Sequence, residues 1–299
     1  MNSNRGGKPT RDSSEAVMKI RRREFFGTAM AAGLAARANT LAAQEPAAGA
    51  AAKAPTPTFE PKIQLLYKSP DRYPNALEAA PDGLWVGDQV SERINKLDWE
   101  TGKVLEDFVG EAHNTSGLAV GGGYIWIGCN GAGTAANLRE FKRPFDRNYG
   151  EIVQLDMKGK QVKGYRTPWG GVHGTMYHRE TGKLWAVVPG LGFLAEMDPK
   201  DDLRISRMVP LNMNVPHGLD WYDGSFWVID GADRLVKRLD PESGREQEIW
   251  KFGPNDPDPH GMCIYNAHVY FTDAGLGGGR KPSAGTQPQM IFRFPLAKS

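Results

Sequence analysis

A repeated pattern of strand-like segments constrains this chain more than any other feature of its sequence. Each copy has a short segment that begins with an aromatic residue, then a gap, then a second segment that ends before a turn. The aromatic residues that begin the copies are Trp85, Trp126, Trp185, Trp227 and Tyr270. In three copies the distance from the Trp to the Asp that ends the second segment is 13 residues, at Asp98, Asp198 and Asp240. Equal spacing in three copies indicates an internal repeat.

The repeat predicts an all-β fold, a β-propeller. Each copy contains short strands of alternating polarity separated by turn residues, and a four-stranded antiparallel blade of about 45 residues is the unit of that fold. We count five four-stranded blades. The fifth copy ends after its third strand, so we expect the lone strand at residues 63–67 to supply the missing outer strand and close the ring. A sixth blade would need strands from residues 44–62, and their proline content argues against it.

The first 43 residues differ from the repeat region and predict an export signal. Arg22 and Arg23 precede Glu24, Phe25 and Phe26, and a mildly apolar stretch follows. This pattern resembles a twin-arginine signal, with a basic disordered N-terminus as the alternative. We therefore divide the chain into a signal (1–43), an Ala/Pro-rich linker (44–58) and a propeller domain (59–299), and expect a periplasmic or secreted protein.

Charge and composition limit the classes of partner. The basic excess lies in the leader, and the rest of the chain has more acidic than basic residues, so we expect no nucleic-acid partner. No apolar run approaches the ~18 residues of a spanning helix, so we expect no integral membrane segment after signal removal. Cys129 and Cys263 are too few for a disulfide framework. We expect a monomer that binds a small-molecule substrate.

Aligning the copies on the aromatic residue places three of the six histidines in one column. This column, at the start of each inner strand, reads Asn75, Ser116, His173, His217 and His260. A second column, at the end of each second strand, reads Asp88, Cys129, Val188, Asp230 and Asp273. In antiparallel blades these two columns lie at the same mouth of the central channel. An insertion in the second copy, which contains Arg139 and Arg143, falls on that same face, where binding sites are common.

These residue types indicate a chemical site. Imidazole is the usual general base near neutral pH, so His217, His260 and His173 are the candidate catalytic residues. Asn75, Ser116, Arg139 and Arg143 are candidates for substrate binding. Asp88, Asp230 and Asp273 are candidate ligands of a divalent cation, Mg²⁺ or Ca²⁺. The structural alternatives are a turn preference for the histidine column and turn-bonding carboxylates for the aspartate column.

The copies resemble those of the streptogramin (virginiamycin B) lyase-like propellers, within a broader group that includes the gluconolactonase-like propellers. The resemblance rests on the segments 216–220 and 225–230, and on Pro259, His260 and Gly261. It implies that a His acts as general base beside Mg²⁺ held by acidic residues, and that a cyclic ester is opened by elimination. By position, His217 and His260 match the base-bearing column, and the aspartates match a column that is usually Glu.

The chain departs from the family pattern in two ways, and the first is that aspartates stand where the family usually has Glu, which shortens the reach of a metal ligand. The second is that the lyases have more blades than the five counted here. Residues 75–98 also resemble one blade of the five-bladed glutaminyl cyclotransferases, whose other signature segments are missing. We expect an exported, metal-assisted lyase or lactonase-type hydrolase that opens a small ester, lactone or sugar-derived substrate. The alternatives are a non-catalytic propeller that binds a ligand or metal, and a protein-interaction scaffold.

Overall fold

The computed structural model describes residues 54–131, 150–275 and 283–296. In these ranges the secondary structure is all β, apart from one 3₁₀ turn at Pro189–Leu191. The predicted signal (1–43) and most of the predicted linker lie outside the described residues. No helix in the described ranges is long and apolar enough to cross a membrane.

The strands form five blades, confirming the predicted fold. Two strands precede the first blade: β1 (Thr58–Phe59) and β2 (Gln64–Lys68). Blade 1 contains β3 (Pro74–Ala80), β4 (Gly83–Asp88), β5 (Arg93–Leu97) and β6 (Val104–Val109). Blade 2 contains β7 (Thr115–Gly121), β8 (Tyr124–Cys129), β9 (Glu151–Leu155) and β10 (Gln161–Arg166). Blade 3 contains β11 (Thr175–His178), β12 (Lys183–Val188), β13 (Phe193–Asp198) and β14 (Arg204–Pro210).

The last two blades are joined to the two N-terminal strands. Blade 4 contains β15 (Pro216–Tyr222), β16 (Ser225–Asp230), β17 (Leu235–Leu239) and β18 (Glu246–Lys251), and β1 adds to β18 in parallel. Blade 5 contains β19 (Met262–Tyr265), β20 (His268–Asp273), β21 (Met290–Pro295) and, as its outer strand, β2. The pairing of β2 with β21 is antiparallel and closes the ring, as predicted. Closure joins the strand that precedes blade 1 to the third strand of blade 5, so that segments from both ends of the propeller lie in one sheet.

The repeated aromatic residues form the core between blades. All five are at most 4% exposed. Each packs against apolar side chains of the next blade: Trp85 with Leu118, Trp126 with Leu184, Trp185 with Phe226, Trp227 with Phe271, and Tyr270 with Leu84. Because each blade needs its neighbour to bury this residue, a complete ring buries the core of every blade.

The glycines after the histidine column bring the inner strands together at the centre of the ring. The N–H of Gly174 donates to the carbonyl of His217 at 3.0 Å, and the N–H of Gly218 donates to the carbonyl of His260 at 3.2 Å. A Cβ added at Gly174 would lie 2.3 Å from the His217 carbonyl oxygen. Only glycine permits this backbone approach, which narrows the central channel at this level.

Candidate functional site

The three column histidines lie side by side at one end of the central channel. His173 and His260 lie two residues before the inner strands β11 and β19, and His217 is the second residue of β15. The rings of His173 and His217 stack at a centroid distance of 4.1 Å, and those of His217 and His260 lie 4.2 Å apart. All three residues are buried, with exposures of 4–8%. We call this end of the channel, with Asn75 and Ser116, the histidine mouth.

His173 has a defined tautomer and a lowered pKa. Its Nδ1 lies 2.6 Å from the carbonyl oxygen of Pro216. A carbonyl only accepts hydrogen bonds, so the proton of the neutral ring is assigned to Nδ1, which leaves Nε2 as a base. Burial lowers the pKa of His173 to about 4, because the charged imidazolium loses its hydration. At neutral pH this ring is therefore uncharged.

Asn75 and Ser116 continue the same ring in blades 1 and 2. The Nδ2 of Asn75 donates to the Ser116 Oγ at 3.3 Å and to the carbonyl of Thr115 at 3.4 Å. Both side chains are buried. The structure thus brings together five of the predicted site residues in one ring. Arg139 and Arg143 lie outside the described residues.

The aspartates of the second column lie at the same mouth and bind main-chain N–H groups. Asp230 accepts from Ala232 and Asp233 through Oδ1, and from Asn214 and Val215 through Oδ2. Asp88 and Asp273 repeat this arrangement. In both residues, Oδ1 accepts from N–H groups of the turn after the strand, and Oδ2 accepts from N–H groups of other chain segments packed beside it. These are the contacts of the structural alternative, in which the carboxylates bond turns.

A divalent cation does not fit these carboxylates in their present contacts. Both oxygens of Asp230 already accept two N–H groups, and a cation would have to displace some of them. Across the described ranges there is no group of three or more His, Cys, Asp or Glu side chains placed to hold a metal ion. Binding of Mg²⁺ or Ca²⁺ by Asp88, Asp230 and Asp273 stays a prediction.

A cavity of about 330 Å³ lies at the other end of the channel, where the inner strands end. It is lined by Glu78, Arg179 and Asp220, and we call it the acidic mouth. None of these three residues is among the predicted site residues. Three positions after the histidine column, however, the aligned copies read Glu78, Ala119, Met176, Asp220 and Cys263. Two acids in one inner-strand column were the signal that could have identified this mouth.

Comparisons with known proteins support the fold. No family model matches the chain, and no curated protein matches it in sequence. Glutaminyl cyclase from Myxococcus xanthus is similar in structure, at 10% identity and a TM-score of 0.55, over 81% of this chain and 100% of that one.

Structural neighbours also include the lyases whose motifs the sequence resembles. A streptogramin B lyase matches at 17% identity and a TM-score of 0.45, over 79% of this chain and 88% of that one. An inactive virginiamycin B lyase from Staphylococcus aureus with quinupristin matches at 16% identity and a TM-score of 0.45, over 76% and 68%. At these identities the likeness concerns architecture alone. The chain is a five-bladed β-propeller.

Proposed function

We propose that this protein is a general-base lyase or hydrolase that opens a small ester, lactone or sugar-derived substrate at the histidine mouth. The observation that carries the proposal is the row of three contiguous imidazoles, His173, His217 and His260, at the end of the channel. A propeller that served only as a scaffold would have no use for three histidines in contact at this position.

The stacked rings suggest how a proton would be handled. His173 stays neutral at neutral pH, so a positive charge formed on His217 faces an uncharged neighbour on that side. Simultaneous protonation of two rings about 4 Å apart would be opposed by their repulsion. We therefore propose that His217 or His260 is the base and accepts a single proton.

Two reactions use such a base. In an elimination, the imidazole takes a proton from carbon, the C–H electrons form a C=C bond, and the C–O bond of the ester breaks. In a hydrolysis, it takes a proton from water, the water oxygen attacks the carbonyl carbon, and the C–O bond to the alcohol oxygen breaks as that oxygen takes the proton from the imidazolium. Asn75 and Ser116 are the side chains of the same ring that we propose for substrate binding, and Asn75 Nδ2 would exchange one of its bonds, to Ser116 Oγ or to the Thr115 carbonyl, for one to the substrate.

The remaining parts of the proposal rest on sequence. Arg139 and Arg143 would bind an acidic group of the substrate, and the leader would direct the protein to the periplasm or outside the cell. A divalent cation at the aspartates would stabilise developing negative charge, but it would first have to displace main-chain N–H groups. Comparing turnover with and without EDTA tests whether a cation takes part.

The test uses the purified protein and its variants His217→Ala and His260→Ala, with His268→Ala as the control. His268 is the first residue of β20, at the end of blade 5 away from the ring column, and its Nδ1 contacts the carbonyl of Asn266. Lactones, cyclic depsipeptides and uronides are screened with and without EDTA. We expect turnover that falls by about a hundredfold or more in one of the two ring variants and is unchanged in the control. Full turnover in both ring variants would refute the proposal.

A non-catalytic ligand-binding propeller is the second candidate, favoured by the burial of the ring histidines at 4–8% exposure. Saturable binding of a screened compound without any turnover, lost in His217→Ala, would support this function. EDTA tests separately whether a metal ion is needed for either function, because only a metal-assisted site loses its activity or its binding on chelation.

A further inference from the structure

The acidic mouth is a cavity built by four blades. Its lining comes from the ends of the inner strands of blades 1, 3, 4 and 5 and from the turns that follow them. It is separated from the histidine mouth by the level at which Gly174 and Gly218 bring the inner strands into contact. A ligand at the acidic mouth would therefore contact neither the ring histidines nor the proposed catalytic machinery.

Two carboxyl groups of the lining accept hydrogen bonds from other blades. Glu78 accepts a hydrogen bond at 3.1 Å from the guanidinium of Arg179. Asp220 accepts from the N–H of Trp221 at 2.7 Å through Oδ1 and from the N–H of Ile264 at 2.5 Å through Oδ2. The two acids are thus held in place by blades 3, 4 and 5, which makes the site pre-organised.

Aromatic rings form walls of the same cavity. Trp221 packs edge-on against His178 at a centroid distance of 4.7 Å and is only half-buried. Tyr265 stacks on Trp99 at 4.4 Å with an interplanar angle of 4°, which fixes the orientation of its ring. Tyr177 also lines the cavity. The faces of aromatic rings attract cations through their quadrupoles.

The charges of the lining do not balance. Three carboxyl groups, Glu78, Glu180 and Asp220, face one guanidinium, that of Arg179, whose side chain is 55% exposed. Burial raises the pKa of Glu78 to about 8, with the Asp220 charge adding to the effect, and burial raises the pKa of Asp220 to about 6. The environment thus contains too little positive charge to keep both acids ionised at neutral pH.

We propose that the acidic mouth is a binding site for a small organic ammonium ion. The ammonium group would lie against Glu78 and Asp220 and beside the aromatic walls, adding the missing positive charge. Carboxylates and aromatic faces together are the usual means of recognising such cations. A metal ion is a poorer occupant because both oxygens of Asp220 accept main-chain N–H groups and Arg179 already contacts Glu78. An anion would meet the excess of carboxylates.

Choline is the first probe, because its charge does not change with pH, and its uncharged isostere 3,3-dimethylbutan-1-ol is the matched ligand control. Isothermal titration calorimetry of the purified protein at about pH 9, where both acids are ionised, is expected to show saturable choline binding and binding of the alcohol weaker by about tenfold or more. Equal binding of the two ligands would show that the cavity is only an apolar cup and would overturn the proposal, as would no choline binding.

The pH dependence provides a second readout. Near pH 5 both acids are protonated, so choline affinity is expected to fall as pH decreases from about 9 to about 5. The groups that face Glu78 and Asp220 are the guanidinium of Arg179, the buried thiol of Cys263, whose pKa is raised by burial, and the lining residues His178 and Glu180. Affinity that is flat over this range would overturn the assignment of the two acids.

Three variants test the residues. Glu78→Gln removes one charge with little change in shape and is expected to weaken choline binding by about fivefold or more. Arg179→Met removes a competing cation from an exposed position and is expected to strengthen it by about threefold or more. Asp156→Asn, which changes an acid at an outer turn of blade 2, is the control and should leave the affinity unchanged. Two results together would overturn the proposal and assign an anion site instead. These are weaker choline binding in Arg179→Met and, in the wild type, tighter binding of acetate than of choline.

Discussion

Replacing Asp230 by alanine is expected to destabilise the propeller whether or not a divalent cation is present. Asp230 is fully buried and accepts four main-chain N–H groups. Those of Asn214 and Val215 lie at 2.6 and 3.1 Å, and those of Ala232 and Asp233 lie at 2.8 Å each. The carboxylate thereby ties the chain before β15 to the turn after β16.

The expected magnitude follows from these four bonds. A hydrogen bond to a charged group contributes about 1.5–3 kcal/mol, and a buried N–H that loses its partner carries a desolvation cost. Because some of the freed loop N–H groups can bind water instead, we expect a net loss of about 3–5 kcal/mol in the free energy of unfolding. For a domain of this size that corresponds to a melting temperature lower by about 6–20 °C.

Thermal and urea denaturation of wild type and Asp230→Ala, in EDTA and in excess Mg²⁺ or Ca²⁺, measure the effect. Asp240→Ala is the control, because Asp240 binds the turn at the outer end of the same blade through Oδ1 alone and should give a much smaller loss. If Asp230→Ala matched the wild type in EDTA and differed only when a cation was added, the carboxylate would serve the cation and our reasoning about the loop would be wrong.

Three further predictions concern the channel. Gly218→Ala should lower the free energy of unfolding by about 3 kcal/mol, because the added Cβ would lie 2.3 Å from the backbone N of Met262. The control Gly190→Ala has open space around its Cβ and should be tolerated, so equal urea midpoints for the two variants would contradict this prediction. His173 should stay neutral until about pH 4 in an NMR titration, and its depressed pKa should lower stability as pH falls from about 6.5 to 4; titration near pH 6.5 would contradict this. Because burial raises the pKa of Glu78, its contribution to the free energy of unfolding is full below about pH 4.5 and should be lost as pH rises to about 8. Glu78→Gln should therefore make the free energy of unfolding, measured with urea, depend less on pH in that window. An unchanged dependence would count against the raised pKa.

The five-bladed fold could be predicted because the features that indicate it, the strand pattern and the turn residues, lie within each repeat. Trp85, Trp185 and Trp227 recur at equal distances from their aspartates, and turn residues separate alternating strands. The predicted closing strand at 63–67 matches β2 within one residue. The antiparallel order of a blade then places the start of the first strand beside the end of the second, so both columns could be assigned to one mouth without knowing any contact between blades.

The tertiary structure decided what the side chains of that mouth contact. A carboxylate at the end of a strand has the same sequence pattern whether it binds a cation or its own loops, and only the folded chain places the N–H groups of Asn214 and Val215 against Asp230. The stacking of His173 on His217 also depends on the separation of neighbouring blades at the centre of the ring.

The acidic mouth shows the same division most clearly. Glu78 and Asp220 are 142 positions apart in the sequence and occupy different blades. Their column could be read from the aligned repeat, but the repeat cannot give the depth of a cavity or the raised pKa values that burial produces. The sequence alone predicted five blades and assigned the histidine and aspartate columns to one mouth of the channel. Ring closure decided their burial and contacts, because both arise between segments distant in the chain.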